Sequence, residues 1–153
     1  FYGTNQGTFQ AVRRLAKEGI DPLSIRAILE RESENVKRFK AFLRSKVQKT
    51  KDVTYVIIGP KDYLSFGLSF EEAGSFVNAI ESVESPNIYC LFVEDGKGEY
   101  RGELRSNKGY PVQPTATHFH GGGHLFASGT STYSEEECRK VVEELTRVKK
   151  LPL

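Results

Sequence analysis

The feature that most restricts the fold of this chain is a run of three glycines at 121–123. Three consecutive residues without a Cβ allow positive φ angles, and they let backbone N–H groups approach a ligand closely. If a helix begins directly after the glycines, its free N–H groups and its dipole form a cradle for an anion. Every histidine of the chain flanks this run: His118, His120 and His124.

Two interpretations of the histidines follow from their chemistry. His124 could donate to a phosphate oxygen or hydrogen-bond to a base, and Ser128 and Thr130 could add hydroxyl donors. A metal site is disfavoured, because the glycines split the histidines and no cysteine or carboxylate nearby completes a ligand set. We therefore expect His118 and His120 to be structural or rim residues. The glycines alone could equally form a flexible loop.

A second candidate site lies at "RGELRSNKG", residues 101–109. Arg105 ends a predicted strand and is followed by Ser106. The planar guanidinium of an arginine matches the geometry of a phosphate. The alternative is a solvent-exposed exit from a hairpin.

The first 50 residues read as helices. Apolar spacing predicts a helix over 7–18 that ends near Gly19, and Asp21 followed by Pro22 predicts the start of a second helix. The stretch 36–51 is strongly basic. It is either the solvated face of an amphipathic helix or a surface that faces phosphates.

The remainder reads as an α/β unit. We predict a strand over 53–59, a helix that Ser69 and Glu72 cap, and a hairpin with strands near 87–94 and 98–105. The stretch 111–119 is ambiguous because it contains two prolines. A final helix is predicted to begin at Ser134 and to end near residue 149.

Composition limits the class of protein. The 153 residues are 38% hydrophobic and 27% charged, and the net charge of +2 is too small to indicate nucleic-acid binding by itself. Cys90 and Cys138 lack a CxxC spacing, so we expect free thiols and a cytoplasmic location. No apolar run approaches the ~20 residues of a membrane span. The chain has no methionine, not even at position 1, and it begins with "FYGTNQGTF". We therefore expect it to be a fragment of a longer protein.

The sequence lacks the phosphate-binding and catalytic motifs of several common enzyme classes. It contains no G-x-x-x-x-G-K-[ST] loop, no G-x-S-x-G elbow and no HExxH. If the chain belongs to an enzyme, we expect the chemistry to lie in another part of that enzyme.

"RGELRSNKG" followed by "FHGGGHLFASG" (119–129) resembles two motifs of the DHHA1 domain, the C-terminal half of DHH-family phosphoesterases. These include RecJ-like nucleases, nanoRNases that also act on pAp, and cyclic-dinucleotide phosphodiesterases. The strand–helix–hairpin–loop–helix order over 53–149 is also similar, and 1–25 resembles the tail of a DHH domain. The resemblance implies an α/β fold with a mixed β-sheet flanked by helices. It assigns 1–50 to a DHH tail with a helical linker and 51–153 to the DHHA1 domain.

The resemblance also implies roles for residues. In that family the DHH half carries Asp and His ligands for two Mn²⁺ ions, and the DHHA1 half holds the substrate's phosphate and nucleotide. By motif, Arg105 would clamp a phosphate or base, His124 would contact a phosphate, and the glycines would form a backbone cradle. The expected substrate-binding residues are Arg105, Ser106, Gly121, Gly122, Gly123, His124 and Ser128.

The expected function is therefore the substrate-binding half of a Mn²⁺-dependent phosphoesterase, inactive when alone, with the metal bound by the missing DHH domain. Expected partners are that domain and short oligonucleotides or nucleotides of the pAp, nanoRNA or cyclic-dinucleotide class, with no membrane. The family contains both monomers and homodimers. One alternative is a non-catalytic RNA-binding module similar to the DHHA1-type domain of alanyl-tRNA synthetases, which the basic stretch 36–51 would fit. Another is a structural domain whose glycines form only a turn.

Overall fold

The structure is a computed structural model that describes residues 4–29, 31–81, 87–106 and 109–152. The chain divides into two compact units, Phe1–Ser33 and Glu34–Leu153. In the described ranges no helix has the length and apolar character needed to cross a membrane.

The first unit contains helices α1 (Gln6–Lys17) and α2 (Pro22–Leu29). The predicted start of α2 is confirmed, because the Asp21 carboxylate accepts hydrogen bonds from the backbone N–H groups of Leu23 and Ser24, each at 3.1 Å. These bonds, together with one from the Ser24 hydroxyl, lower the pKa of Asp21, the hydroxyl bond contributing most.

The second unit is built on one six-stranded sheet, which is mixed, as the resemblance implied. Its order is β1-β2-β3-β4-β6-β5; β2 and β3 are parallel and all other pairs are antiparallel. The predicted strand near 53 and both strands of the predicted hairpin are confirmed. The strands are β1 (Gln48–Lys49), β2 (Val53–Ile58), β3 (Ile88–Glu94), β4 (Tyr100–Ser106), β5 (Gly122–His124) and β6 (Ala127–Thr132).

Helices cover both faces of this sheet. One face packs on α3 (Glu34–Ser45), α4 (Pro60–Leu64), α5 (Phe70–Gly74) and a 3₁₀ helix (Ser75–Ile80), in a core that includes Val56 and Leu91. The other face packs on α6 (Gln113–His118) and α7 (Glu135–Leu145), in a core that includes Phe92 and Leu104.

Helix α3 belongs to the second unit, although the sequence analysis grouped it with a linker that ends at residue 50. Its Phe39 and Leu43 are fully buried in the first of the two cores. Two lysines of the basic stretch 36–51 pack on aromatic rings: the ammonium group of Lys40 in α3 lies 5.5 Å from the ring centroid of Phe76, and that of Lys46, just after α3, lies 5.4 Å from the centroid of Phe42. The assignment of 1–50 to a DHH tail stays a prediction.

Two local expectations need correction, and one stretch that the sequence left open is now assigned. The helix that Ser69 caps changes to 3₁₀ geometry at Ser75, and α7 ends at Leu145 rather than near 149. The ambiguous stretch 111–119 forms α6, with a proline in its first turn, where the missing N–H does no harm.

No helix begins directly after the glycine run. Instead β5 turns through Leu125 and Phe126 into β6, so the predicted loop is a β-hairpin. The turn is held from outside the hairpin: the Leu125 carbonyl accepts from the N–H of Val112 at 2.8 Å, and the Phe126 carbonyl accepts from the N–H of Ser106 at 3.0 Å.

Candidate functional site

An open groove lies on the part of the sheet formed by β4, β6 and β5. Leu91 of the α3-side core pairs directly with Glu103, so Glu103 projects from the same face of the sheet as Leu91. We call this cavity of about 360 Å³ the glycine groove. Its lining residues come from β4 (Arg101, Glu103, Arg105), from Gly121, Gly122 and Gly123, and from positions 127–131 of β6.

Two of the three glycines are required by the packing of the hairpin. A Cβ on Gly121 would lie 1.9 Å from the carbonyl oxygen of Gly129. Gly123 has φ +137°, and a Cβ there would lie 2.8 Å from the Ala127 carbonyl oxygen. These two positions exclude a side chain whether or not the groove binds anything.

Gly122 is different. A Cβ built on it meets no atom within 4 Å, and its φ is not in the left-handed region. It pairs with Gly129, which in turn pairs with Glu103, so two adjacent strands lack a side chain opposite that carboxylate. The fold does not require a glycine at position 122. A ligand that contacts the backbone in the groove would require one, because a side chain there would keep it away.

Three charged residues form a row along β4. Because side chains alternate along a strand, Arg101, Glu103 and Arg105 project from one face. Glu103 is paired on both sides: its Oε1 lies 2.9 Å from Nε of Arg101, and its Oε2 lies 3.1 Å from an Nη of Arg105. The row carries a net charge of +1, and both oxygens of its one carboxylate face arginine donors.

Arg105 is held in place by the strands beneath it. One Nη donates to the carbonyl of Leu104 at 2.8 Å and to that of Ser128 at 3.4 Å, and the side chain is 28% exposed. Its guanidinium is therefore oriented before any ligand arrives, which lowers the entropy that binding would cost.

The structure brings Arg105, the glycines and Ser128 into one groove and leaves two other predicted residues outside its lining. His124 is exposed at the end of β5, paired with Ala127, which does line the groove. Ser106 ends β4 beyond the lining residues. The Ser128 hydroxyl donates to the His124 carbonyl at 2.7 Å, so it closes the hairpin instead of facing a ligand.

The three histidines do not converge. Nδ1 of His118 lies 2.7 Å from a carboxylate oxygen of Glu144 on α7, and His120 occupies a turn with φ +55°. Among the described residues, no group of three or more His, Cys, Asp and Glu side chains is placed to hold a metal ion.

Both cysteines are free thiols in the interior, as predicted. Burial raises the pKa of both thiols, because a thiolate would lose its hydration in the interior. The pKa of Cys138 rises to about 11. The charges of Glu135 and Glu137 add to this second shift, and a hydrogen bond with Thr132 opposes it. These thiols lie outside the groove and have no low-pKa character.

Sequence reasoning missed Arg101, Glu103 and Gly129 as site residues. The alternation R-x-E-x-R over 101–105 was available as a signal, since a period of two places all three charges on one face. The role of Gly129 depends on the pairing of β6 with both β4 and β5, which no local pattern reveals.

Comparison with known proteins gives the family. Residues 50–150 match the family model described as the DHHA1 domain. The chain belongs to the DHHA1 domain family. This DHHA1 domain contains both motifs that carried the resemblance, and the groove that they line.

Its relatives include proteins named as oligoribonuclease and PAP phosphatase. The bifunctional oligoribonuclease and PAP phosphatase NrnA of Mycoplasma pneumoniae is 32% identical over 107 residues, which are 70% of this chain and 32% of that protein. The probable enzyme of the same name from Streptococcus mutans is 26% identical over 148 residues, 96% of this chain and 47% of that protein.

A solved structure shares the fold. An exopolyphosphatase-related protein from Bacteroides fragilis superposes with a TM-score of 0.79 at 27% identity, over 93% of this chain and 43% of that one. The chain thus spans less than half the length of each of these relatives.

Proposed function

We propose that the glycine groove binds a phosphate group of a nucleotide or a short oligonucleotide, as the substrate-holding part of a DHH-family phosphoesterase. The names of the relatives, oligoribonuclease and PAP phosphatase, support this class of substrate. The reaction would be hydrolysis of phosphodiester or phosphomonoester bonds.

The observation that carries this proposal is the open face of Gly122. Backbone N–H groups bind phosphate oxygens well only where no side chain intervenes, and Gly122 leaves that space free without any packing need to do so. The anion would sit against the backbone at Gly122 and Gly123, because the Gly121 N–H already donates to the Ala116 carbonyl at 2.8 Å.

Arg101 and Arg105 would supply the balancing charge. Each already donates to Glu103 and keeps further N–H groups on its guanidinium, which carries five donors in total. Charge-assisted bonds from a pre-oriented guanidinium to phosphate are short and strong. His124, at the end of β5 beside Ala127, would contact a neighbouring phosphate.

The hairpin turn adds an apolar surface for a base. Leu125 and Phe126 are 44% and 36% exposed, directly before Ala127 of the groove. An exposed aromatic ring next to a phosphate site can stack on a nucleobase, and such stacking contributes about 1–3 kcal/mol per base. We therefore favour a nucleotide over inorganic polyphosphate.

The described residues do not fit a Mn²⁺ site, because they contain no suitable cluster of ligands. We assign no hydrolytic step to this chain. We propose instead that Mn²⁺, if the parent protein uses it, is bound by a DHH domain, and that the groove orients the substrate toward that domain.

The test is calorimetric titration of the chain with 5′-pApA at low ionic strength. Gly122→Ala should fold normally, because its Cβ enters open space, and should weaken binding roughly tenfold by occupying the place of the anion. Gly74→Ala is the matched control, since a Cβ on Gly74 of α5 also meets nothing within 4 Å. Equal affinities for wild type and Gly122→Ala would contradict the proposal.

A further inference from the structure

A second cavity, of about 340 Å³, lies at the opposite end of the sheet from the glycine hairpin. We call it the edge cavity. It is placed between the end of α3, the 3₁₀ helix and the β1–β2 edge, and shares no lining residue with the glycine groove. Its size falls in the range of small-molecule sites, about 300–1,000 Å³. Its lining residues are Arg44, Val47, Lys49, Thr54, Ile80 and Glu81.

One wall of the edge cavity carries a buried hydroxyl without a partner. Thr54 is 1% exposed, and within the part of the chain that the structure describes its Oγ1 makes no hydrogen bond. Thr54 is the register partner of Lys49, so the two side chains project to the same face of the β1–β2 ribbon. Buried hydroxyl groups nearly always have a partner, and a ligand in this cavity would provide one.

The charges of the edge cavity suit a single negative charge. The Nε of Arg44 donates to the Ala79 carbonyl at 3.0 Å, which fixes the guanidinium and leaves its two Nη groups as a fork. Lys49 adds a second positive charge and Glu81 a negative one. The balance is +1, which a monoanion neutralises and a dianion exceeds.

The remaining lining is apolar. Ile80 is buried and Val47 is half-buried, and both pack in or against the core on the α3 side of the sheet. A ligand that satisfied only the charges would leave the exposed part of Val47 in contact with water. A short aliphatic body on the anion would cover it, and burial of apolar surface favours binding.

We propose that the edge cavity binds a small carboxylate with a short aliphatic body. Its carboxylate accepts hydrogen bonds from the Arg44 fork, from Lys49 and from the Thr54 hydroxyl, and its aliphatic chain packs on Val47 and Ile80. This site is separate from the phosphate site of the proposed function, and neither depends on the other.

The test is an NMR titration of the whole chain, with labelled methyl groups and arginine side chains, using sodium hexanoate as the probe. We expect saturable shifts of the Val47 and Ile80 methyl signals and of Arg44 Nε–H, and no shift of the Gly122 amide. In a titration at pH 8, acetate, which lacks the aliphatic body, and inorganic phosphate, which is mainly a dianion at that pH, should bind at least tenfold more weakly.

Three variants, one of them a control, make the result decisive. Arg44→Gln should abolish the saturable shifts, whereas Arg38→Gln, an exposed position on the same helix, should preserve them. Thr54→Val fills the same volume without a hydroxyl, so it should fold at least as stably and bind hexanoate several-fold more weakly. Absence of saturable shifts, binding that survives Arg44→Gln, undiminished binding by Thr54→Val, or phosphate binding as tight as that of hexanoate would each overturn the proposal.

Discussion

Alanine substitution at two adjacent glycines should have opposite consequences for stability. In Gly121→Ala the new Cβ would lie 1.9 Å from the Gly129 carbonyl oxygen, whereas ordinary contact begins at 3.4 Å. The β5 and β6 strands must therefore separate by about 1.5 Å, which also disturbs the 2.8 Å hydrogen bond from Gly121 N–H to Ala116. Overpacking that forces two backbone segments apart costs about 3 kcal/mol, the upper end of the usual range.

Gly122→Ala meets no atom and keeps an ordinary φ. The added methyl group restricts the unfolded chain, so the free energy of unfolding should stay equal or rise by no more than about 1 kcal/mol. In thermal unfolding followed by circular dichroism, Gly121→Ala should lower Tm by roughly 12 °C, at roughly 4 °C per kcal/mol for a unit of this size. Guanidinium denaturation should give the same order of stabilities.

The comparison can fail in two ways. A Gly121→Ala variant as stable as wild type would show that β5 does not pack on β6 as described. A Gly122→Ala variant as unstable as Gly121→Ala would show that the middle glycine is structural, and the argument for a ligand-facing backbone would be lost.

Three further predictions concern single side chains. Arg105→Lys keeps the charge but loses the planar fork, so calorimetry should show roughly tenfold weaker binding of 5′-pApA, while Arg139→Lys on the exposed face of α7 should bind as wild type does. Ser128→Ala removes the 2.7 Å bond to the His124 carbonyl and should lower the free energy of unfolding by about 1 kcal/mol in denaturant titration. Because burial raises the pKa of Cys138 from 9.0 to about 11, the folded state keeps a proton that the unfolded state releases. Stability should therefore fall as the pH rises from 9 to 11, and a Cys138→Ala variant, followed by its denaturation midpoint, should lose less stability over that interval.

The central strands and several helix starts could be predicted because local signals agree with the tertiary structure there. The β-branched run at Val53–Ile58, the turn between β3 and β4, and the caps at Asp21, Ser69 and Ser134 each depend on residues close in sequence. Side-chain alternation and capping need no information about distant packing.

The β5–β6 hairpin could not be predicted in the same way. Gly122–His124 has no apolar alternation, and its strand conformation depends on pairing with Ala127–Thr132 and on bonds from Val112 and Ser106 to the turn. The same three glycines are compatible with a loop before a helix, a possibility that the sequence left open and that the structure does not show. Phe39 and Leu43 of α3 show a similar limit, because their spacing predicts an amphipathic helix but not which unit buries its apolar face.

The sequence singled out several of the residues that line the glycine groove, but it did not reveal their arrangement. Arg105 and the glycines stood out because a guanidinium group and a Cβ-free backbone are both suited to binding an anion, although glycines also serve turns and close packing. Two features of the arrangement depend on strand register and are visible only in the folded chain. Glu103 bridges two arginines, and the Ser128 hydroxyl donates to the His124 carbonyl.

The most direct test of the central claim is an NMR titration of the ¹⁵N-labelled chain with 5′-pApA at low ionic strength. Binding in the glycine groove predicts saturable shifts of the Gly122 and Gly123 amides and of Arg105 Nε–H, all with one dissociation constant, while the Lys49 and Thr54 amides at the far edge of the sheet stay unchanged. Saturable shifts confined to residues outside the groove, or none at all in the groove at saturating nucleotide, would contradict the claim.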